Sequence, residues 1–274
     1  MDWLDALILG IVQGLAEYLP ISSSGHLVIF REILGLELQG EDALQFDIIL
    51  HAATVLSTVV VLWPMFYGLC KSFFTFKKDY NFWYVMKILV SCIPVAIVGF
   101  FFKDLVEGMF TGNLVIVGIC LLATACLLSF AHFSDRLLGR NGTAAGKGRD
   151  ITFADAITIG VAQAVAVLPG LSRSGTTIAT GILIGDSKEK VASFSFLMVI
   201  IPILGEALLS LKDIIAGEAA GGAAVPASCL AIGFFSAFIV GCAACKWMLS
   251  LVKKGKLIWF AVYCLVVAVI CLLW

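Results

Sequence analysis

The chain has 274 residues, of which 61% are hydrophobic and only 14% are charged, and its mean hydropathy is +1.06. This composition excludes an ordinary soluble domain and predicts an integral membrane protein. The formal net charge of −1 argues against a nucleic-acid partner, and the nine cysteines lie in apolar stretches that predict no disulfide framework.

The predicted helices fall into two similar series. Each series has two short apolar segments around a polar break, followed by three segments long enough to span a bilayer. The first series lies at about 3–19, 22–35, 43–66, 82–102 and 112–133. The second lies at about 153–168, 173–185, 190–211, 224–247 and 256–273. The short pairs predict re-entrant hairpins, whereas a rival topology, in which both hairpins cross fully, would keep the polar breaks inside the bilayer.

The two series form an internal repeat at an offset of 150 residues. The identical pairs are Asp5/Asp155, Ala6/Ala156, Gly10/Gly160, Gln13/Gln163, Ala16/Ala166, Ser22/Ser172, Ser24/Ser174 and Gly25/Gly175. Compositional bias in two apolar helices would explain one or two of these identities. We therefore predict one all-α polytopic membrane domain over residues 1–274, with repeat 1 at about 1–135, a linker at about 136–150 and repeat 2 at about 151–274. Because each repeat has an odd number of spans, the repeats should have inverted topology.

Basic residues are distributed unevenly between the two predicted membrane faces. One face carries Lys71, Lys77, Lys78, Lys87, Arg136, Arg140, Lys147, Arg149, Lys188, Lys190, Lys246, Lys253, Lys254 and Lys256. The other carries Arg31, Lys103 and Lys212. By the positive-inside rule the first face is cytoplasmic, and both termini are expected to be extracytoplasmic.

The first polar break combines a carboxylate, hydroxyls and an imidazole at membrane depth. Gln13 and Glu17 are four residues apart and should share a helix face. A buried ionised carboxylate requires a cation, either an arginine or a divalent metal. Helix capping alone does not explain a carboxylate, His26 and a run of three hydroxyls, which are Ser22, Ser23 and Ser24. His26 is a candidate nucleophile or acid–base group, or else a buried imidazole with satisfied hydrogen bonds.

The second break places a guanidinium among hydroxyls at a helix start. Its residues are Ser172, Arg173, Ser174 and Thr177. Backbone N–H groups, the helix dipole, hydroxyl donors and a guanidinium together predict a phosphate cradle. A structural ion pair between Arg173 and Glu17 is an alternative that can coexist with it.

Other polar residues in the spans give weaker signals. Asp47 and His51 are four apart and could simply pair with each other. Glu206 could face only the extracytoplasmic interface.

The two breaks resemble signatures of the bacterial undecaprenyl-pyrophosphate phosphatases, also called bacitracin-resistance proteins. The first signature is carried by Gln13-x-x-x-Glu17 and Pro20-x-Ser22-Ser23-x-Gly25-His26. The second is carried by Pro169-Gly170-x-Ser172-Arg173-Ser174-x-x-Thr177. Gln13 stands where many members of that family have glutamate, and both residues occur in the family.

The resemblance implies hydrolysis of undecaprenyl pyrophosphate to undecaprenyl phosphate, which recycles the cell-wall lipid carrier. It also implies residence in the bacterial cytoplasmic membrane, a site facing the extracytoplasmic side, and a divalent cation, Mg²⁺ or Ca²⁺. Glu17 and Gln13 are the expected metal ligands, and the expected catalytic residues are Glu17, Ser23, His26 and Arg173. The phosphates are expected to bind Ser22, Ser24, Ser172, Arg173, Ser174 and Thr177. Either Ser23, His26 or an activated water would be the nucleophile, and a homodimer is possible.

Two other function classes fit inverted repeats with re-entrant helices. A transporter or flippase could bind an anionic lipid head group at the same site, and an anion channel could use the helix starts as a filter. Transport does not require the combination of Glu17, Ser23 and His26, so this set favours the hydrolase.

Overall fold

A computed structural model describes residues 1–36, 38, 40–102, 113–137, 148–215 and 225–274. Within these ranges the chain is helical, apart from one isolated bridge between Arg149 and Asp186. The helices of the first half are α1 (Trp3–Ala16), α2 (Ser23–Ile33), α3 (Gly40–Val61), α4 (Trp63–Phe74), α5 (Tyr80–Phe101) and α6 (Leu114–Leu137). Those of the second half are α7 (Phe153–Val165), α8 (Arg173–Ile184), α9 (Lys188–Met198), α10 (Ile200–Ile215), α11 (Ala227–Lys253) and α12 (Ile258–Leu273).

Several of these helices suit a bilayer by length and composition. Among the described residues α5, α6 and α11 are each long and apolar enough to cross, and α3 with α4 would be a fourth span despite an 89° bend between them. The outward surfaces carry large apolar side chains, such as Trp259 at 70% exposure. The predicted all-α polytopic membrane fold is confirmed.

The two halves begin with the same local structures. Helices α1 and α7 each begin with a capping box. Its N-cap residue is Asp2 in α1 and Thr152 in α7, and its second member is the aspartate three residues later. At the breaks, the Ser22 and Ser172 hydroxyls each accept a hydrogen bond from the backbone N–H three residues on. The inverted orientation and the repeat boundaries stay predictions. Of the linker, residues 138–147 lie outside the described part of the chain, as does the Glu206 side chain.

The short first helix of each half packs against a long helix of the other half. Helix α1 lies on α11, and α7 lies on α5. Glycines make these approaches possible: a Cβ on Gly10 would lie 2.6 Å from the Gly233 carbonyl oxygen, and one on Gly160 would lie 2.3 Å from that of Ser91. Small residues allow such close backbone packing in membranes. Because α1 and α7 each pack against the other half, they hold the two halves, and hence their polar breaks, together.

Two predicted spans are each divided in the structure. The segment predicted at 43–66 ends its first helix at Val61, and a new helix starts with Pro64 in its first turn, where the missing N–H costs nothing. The segment predicted at 190–211 breaks between α9 and α10 at Val199. Pro202 cannot donate to the carbonyl of Met198, four residues earlier, and the Cys92 thiol donates to that carbonyl instead at 3.6 Å.

Candidate active site

The two polar breaks contact each other at the centre of the helix bundle. The Ser174 hydroxyl donates to the Leu19 carbonyl across the two halves at 3.4 Å. A Cβ on Gly25 would lie 3.1 Å from the Cα of Gly170, and one on Gly175 would lie 3.1 Å from the Cβ of Pro20. The glycine positions therefore let the start of each second helix approach the other break.

The backbone of the first break places Ser23 beside Glu17. Helix α1 ends at Ala16, and Glu17 is its C-cap. Ser22 caps α2 with φ +71°, in the left-handed region that costs a non-glycine residue on the order of 1 kcal/mol or more. The next residue, Ser23, donates its hydroxyl hydrogen to Glu17 Oε2 at 2.7 Å. The unusual backbone conformation thus lies directly next to the hydroxyl that contacts the carboxylate.

Glu17 is the point where several side chains converge. Its Oε2 accepts hydrogen bonds from Gln13 Nε2 at 3.0 Å and from Ser23, and it lies 3.7 Å from His51 Nε2. The Glu17 side chain is only 9% exposed. Gln13 and Glu17 therefore share one face of α1, as their spacing predicts.

The neighbouring Tyr18 anchors this end of α1. Its hydroxyl bonds to the Thr54 carbonyl at 2.6 Å and to Thr58 Oγ1 at 2.8 Å, both on α3. Its ring packs edge-on against Phe196, with 5.2 Å between ring centroids. Because Tyr18 is fully buried, these contacts fix the backbone from which Glu17 projects.

His26 is buried and has both ring nitrogens engaged. Nδ1 donates to the Ser22 carbonyl at 2.8 Å, and Nε2 lies 2.8 Å from the hydroxyl of Tyr263 on α12. The two rings also stack, with centroids 5.6 Å apart. In the neutral ring Nε2 must then accept from Tyr263. The structure thus places His26 against Tyr263, and its hydrogen bonds go to Ser22 and Tyr263 instead of Glu17 or Ser23.

The hydroxyls of the second break divide into two kinds. Ser172 caps α8 by accepting from the Gly175 N–H at 3.0 Å, and Thr177 donates to the Arg173 carbonyl at 2.8 Å. Both are buried and used within the fold. Ser174 is less buried, and the two hydrogen bonds of its hydroxyl within the described residues, to Leu19 and Ser172, are both 3.4 Å long. In the first break Ser24 resembles Ser174, with a 3.4 Å contact to Ser22.

Arg173 is the charged group that faces Glu17 from the other half. Within the described residues its side chain forms no hydrogen bond and no ion pair, yet it lies close enough to attract the Glu17 carboxylate electrostatically. Both line a small cavity, together with Thr58, Gln163, Ser174 and Thr177. The serines of the first break and His26 do not line this cavity, so Glu17 connects it to Ser23.

Sequence reasoning passed over several residues of this region. Gln163 lines the cavity, and its Nε2 is buried and has no partner among the residues that the structure describes. Its correspondence to Gln13 in the repeat was an available signal. Ser195 contacts the Thr177 hydroxyl, and Tyr263 contacts His26, but neither sits in a recognisable motif. The Asp47 carboxylate pairs with Arg31, while His51 Nδ1 bonds to the Asp47 backbone carbonyl.

The donor atoms beside Glu17 fit a hard divalent cation. Among the described residues no group of three or more His, Cys, Asp and Glu side chains converges. However, Gln13 Oε1 is buried without a hydrogen-bond partner in the described part of the chain, and Nε2 of the same side chain donates to Glu17. Amide and carboxylate oxygens suit Mg²⁺ and Ca²⁺, and Mg²⁺ in particular completes its shell with water and phosphate oxygens.

Comparison with known proteins identifies the family. The model of the family described as bacitracin resistance protein BacA matches residues 6–270. The chain belongs to this family. An undecaprenyl-diphosphatase of Bacteroides fragilis is 53% identical over 270 residues, covering 98% of this chain and 97% of the relative. One of Parabacteroides distasonis is 52% identical with the same coverage, and one of Methanosphaera stadtmanae is 36% identical over 98% of this chain and 97% of the relative. The resemblance noted in the two breaks is confirmed.

Proposed function

We propose that this BacA-family protein hydrolyses undecaprenyl diphosphate to undecaprenyl phosphate and inorganic phosphate. The names of the full-length relatives support this substrate. A C55 lipid also suits the molecule, because its chain belongs in the bilayer that the apolar helices require. A transporter or flippase using the same site finds no support among these relatives.

The observation that carries the proposal is the short hydrogen bond from Ser23 to Glu17, at 2.7 Å, with Arg173 opposite. A hydroxyl that donates to a carboxylate can lose its proton as it attacks, which is the arrangement of an activated nucleophile. A guanidinium on the other side can bind two phosphate oxygens at once. A carrier that only binds and releases an anionic lipid would not need the first pair.

The reaction follows from these positions. Ser23 Oγ attacks the terminal phosphorus, and its proton passes to Glu17 as the new O–P bond forms. The bond from that phosphorus to the bridging oxygen breaks, and undecaprenyl phosphate leaves as an anion that needs no protonation near neutral pH. Water then attacks the serine phosphate and the P–Oγ bond breaks. Glu17 returns its proton to Ser23 Oγ, and the attacking water leaves with the inorganic phosphate as a P–OH group, its second proton passing to a phosphate oxygen and from there to solvent.

In the proposed reaction, the second break and a divalent cation stabilise the negative charge on the phosphate oxygens. Arg173 holds the phosphoryl oxygens, while Ser174 and the backbone N–H groups at the start of α8 add donors. When bound, Mg²⁺ or Ca²⁺ supplies Lewis-acid stabilisation of pyrophosphate charge. Gln13 Oε1 and Glu17 Oε1 are the oxygens that would hold it, because Glu17 Oε2 already accepts from Gln13 and Ser23.

We also propose that the protein resides in the bacterial cytoplasmic membrane with this site open to the extracytoplasmic side. The excess of lysine and arginine on the opposite face supports that orientation. A homodimer stays a prediction from the sequence.

Phosphate release tests the proposal. Protein purified in detergent, where no gradient exists, is given undecaprenyl diphosphate with Mg²⁺, and inorganic phosphate is measured. We expect turnover in the wild type, a loss of at least about 100-fold in Ser23→Ala, and normal turnover in Ser129→Ala, whose hydroxyl only bonds within α6. A wild type that binds the lipid but releases no phosphate would instead indicate a carrier.

A further inference from the structure

His51 lies against the proposed cation ligands but has no role in the chemistry described so far. It projects from α3, its side chain is 14% exposed, and Nε2 is 3.7 Å from Glu17 Oε2. That nitrogen is buried and makes no hydrogen bond within the described residues. A buried polar atom without a hydrogen bond is uncommon and requires an explanation.

The other ring nitrogen fixes which tautomer His51 adopts. Nδ1 lies 2.8 Å from the backbone carbonyl of Asp47, one turn earlier on α3. A carbonyl can only accept, so Nδ1 carries the hydrogen, and Nε2 of the neutral ring presents a lone pair. Hydrogen bonding of one ring nitrogen to a backbone carbonyl is also the arrangement that orients metal-bound histidines.

In the neutral ring this lone pair faces a carboxylate oxygen, whereas a protonated ring would form an ion pair with Glu17 across the same 3.7 Å. Two electron-rich atoms at this distance repel each other unless a cation lies between or beside them. Gln13 Oε1 is a further oxygen that is buried without a partner within the described residues, on the side chain whose Nε2 donates to Glu17. Gln13 Oε1 on α1 and His51 Nε2 on α3 are thus two acceptor atoms without a partner among the described residues. Together with the Glu17 carboxylate they give three metal donors, whereas Gln13 and Glu17 alone give two.

We propose that His51 Nε2 is a nitrogen ligand of the divalent cation, completing a protein ligand set of Gln13, Glu17 and His51. This inference rests on the proposed cation requirement of the hydrolase. Three protein ligands leave the remaining positions to water and substrate phosphate oxygens, as a catalytic metal site requires. An imidazole ligand also favours Mn²⁺ or Co²⁺ over Ca²⁺, which prefers an all-oxygen shell.

Pulsed electron paramagnetic resonance with Mn²⁺ alone tests this ligand directly. Protein is purified in detergent, loaded with Mn²⁺ without lipid, and examined for the modulation that a directly coordinated ¹⁴N nucleus produces. We expect this modulation in the wild type and its loss in His51→Gln, with Mn²⁺ affinity falling at least roughly tenfold. The matched control is His132→Gln, because His132 bonds to the Gly255 carbonyl on another part of the fold and should leave the signal unchanged.

The possible outcomes separate this inference from the proposed hydrolase. Nitrogen modulation that persists in His51→Gln, or a wild type that binds Mn²⁺ without it or fails to bind Mn²⁺, would overturn the ligand assignment. Phosphate release is measured on the same samples. Turnover without nitrogen coordination would refute His51 as a ligand while leaving the hydrolase intact. Nitrogen coordination without turnover would support the ligand and refute the proposed reaction.

Discussion

At the scale of single residues, His26 shows how a motif residue can act through its neighbours. Its Nδ1–H donates to the Ser22 carbonyl, one residue before the Ser23 nucleophile of the proposed reaction. Tyr263 holds the opposite side of the ring at Nε2. This geometry makes His26 a positioning residue for the turn that presents Ser23, and direct participation in catalysis stays a prediction.

Replacing His26 separates positioning from proton transfer. Asparagine can place an N–H donor near the position of Nδ1 but cannot act as an acid or base, whereas alanine removes both properties. We expect His26→Asn to keep a substantial part of the phosphate release and His26→Ala to lose at least about tenfold more. The pH profile of kcat should keep its shape in His26→Asn. Equal, near-complete loss in both variants would indicate that the imidazole itself transfers protons.

Some site residues could be predicted from the sequence and others could not. Glu17, Ser23 and Arg173 could be predicted from the sequence, because charged or hydroxyl groups beside helix breaks are costly in an apolar segment. The pairing of His26 with Tyr263 could not, since the two are separated by 237 positions. His51 carried only a weak signal, because spacing along α3 shows which face it occupies but not that this face meets Glu17.

At the scale of helices, close packing by glycine connects the two halves. A Cβ on Gly160 of α7 would approach the Ser91 carbonyl oxygen to 2.3 Å, whereas one on Gly99 of α5 would meet no atom of the described residues within 4 Å. We expect Gly160→Ala to destabilise the protein by about 1–3 kcal/mol, because backbone atoms must shift. Gly99→Ala is the control and should be neutral or slightly stabilising. Apparent Tm in detergent is the measurement, and equal Tm values would contradict the packing.

The turn between α8 and α9 contains a carboxyl group that should make stability depend on pH. Burial raises the pKa of Asp186 to about 6, helped by the nearby Asp155 and opposed by Arg149. Its two carboxylate oxygens are buried without a hydrogen-bond partner within the described residues. The folded protein therefore favours the protonated form. This contribution to stability is complete below the unfolded-state pKa of about 4 and is lost as pH rises through about 6.

Thermal unfolding at two pH values checks this account of Asp186. Asp186→Asn is neutral at every pH, so we expect it to raise the apparent Tm at pH 7.5 and to change it little at pH 4.5. Glu189→Gln is the control, because Glu189 is exposed and pairs with Lys253 away from Asp186, and it should change the apparent Tm little at either pH. A lower Tm for Asp186→Asn at pH 7.5 would show that the ion pair with Arg149 outweighs the cost of burial.

The helix boundaries could be predicted from the sequence only in part. Hydrophobic runs predicted the order of the apolar segments, and the polar breaks were placed correctly around Pro20 and Gly170. The bend after Val61 and the break at Val199 were missed, because a hydropathy pattern cannot distinguish a continuous helix from two that meet at an angle. Prolines near the start of α4 and α10 were the available local signals.

At the scale of the whole molecule, the internal repeat explains why one site draws on both ends of the chain. Each half contributes a capped helix pair with a polar break, and the exchange of α1 and α7 between the halves brings the breaks together. In the proposed reaction the first break supplies the carboxylate and the nucleophile, and the second supplies the guanidinium. The same kind of capped helix pair thus carries a carboxylate at Glu17 in the first half and a guanidinium at Arg173 in the second.

The central claim is that these two breaks form one pyrophosphate site, and Arg173 tests it most directly. A lysine keeps the charge but loses the planar fork that binds two phosphate oxygens. Removing a group that stabilises charge in the transition state should lower kcat as well as weaken binding.

The decisive measurement is phosphate release from undecaprenyl diphosphate by Arg173→Lys and Arg173→Ala, alongside apparent Tm in detergent. We predict that Arg173→Lys loses at least about 90% of kcat and Arg173→Ala about 99% or more, with little change in Tm. Lys71→Ala, which removes an exposed cation on α4, should match the wild type. A misfolded Arg173→Ala would indicate a purely structural partner of Glu17, and near-normal turnover in Arg173→Lys would contradict bidentate phosphate binding.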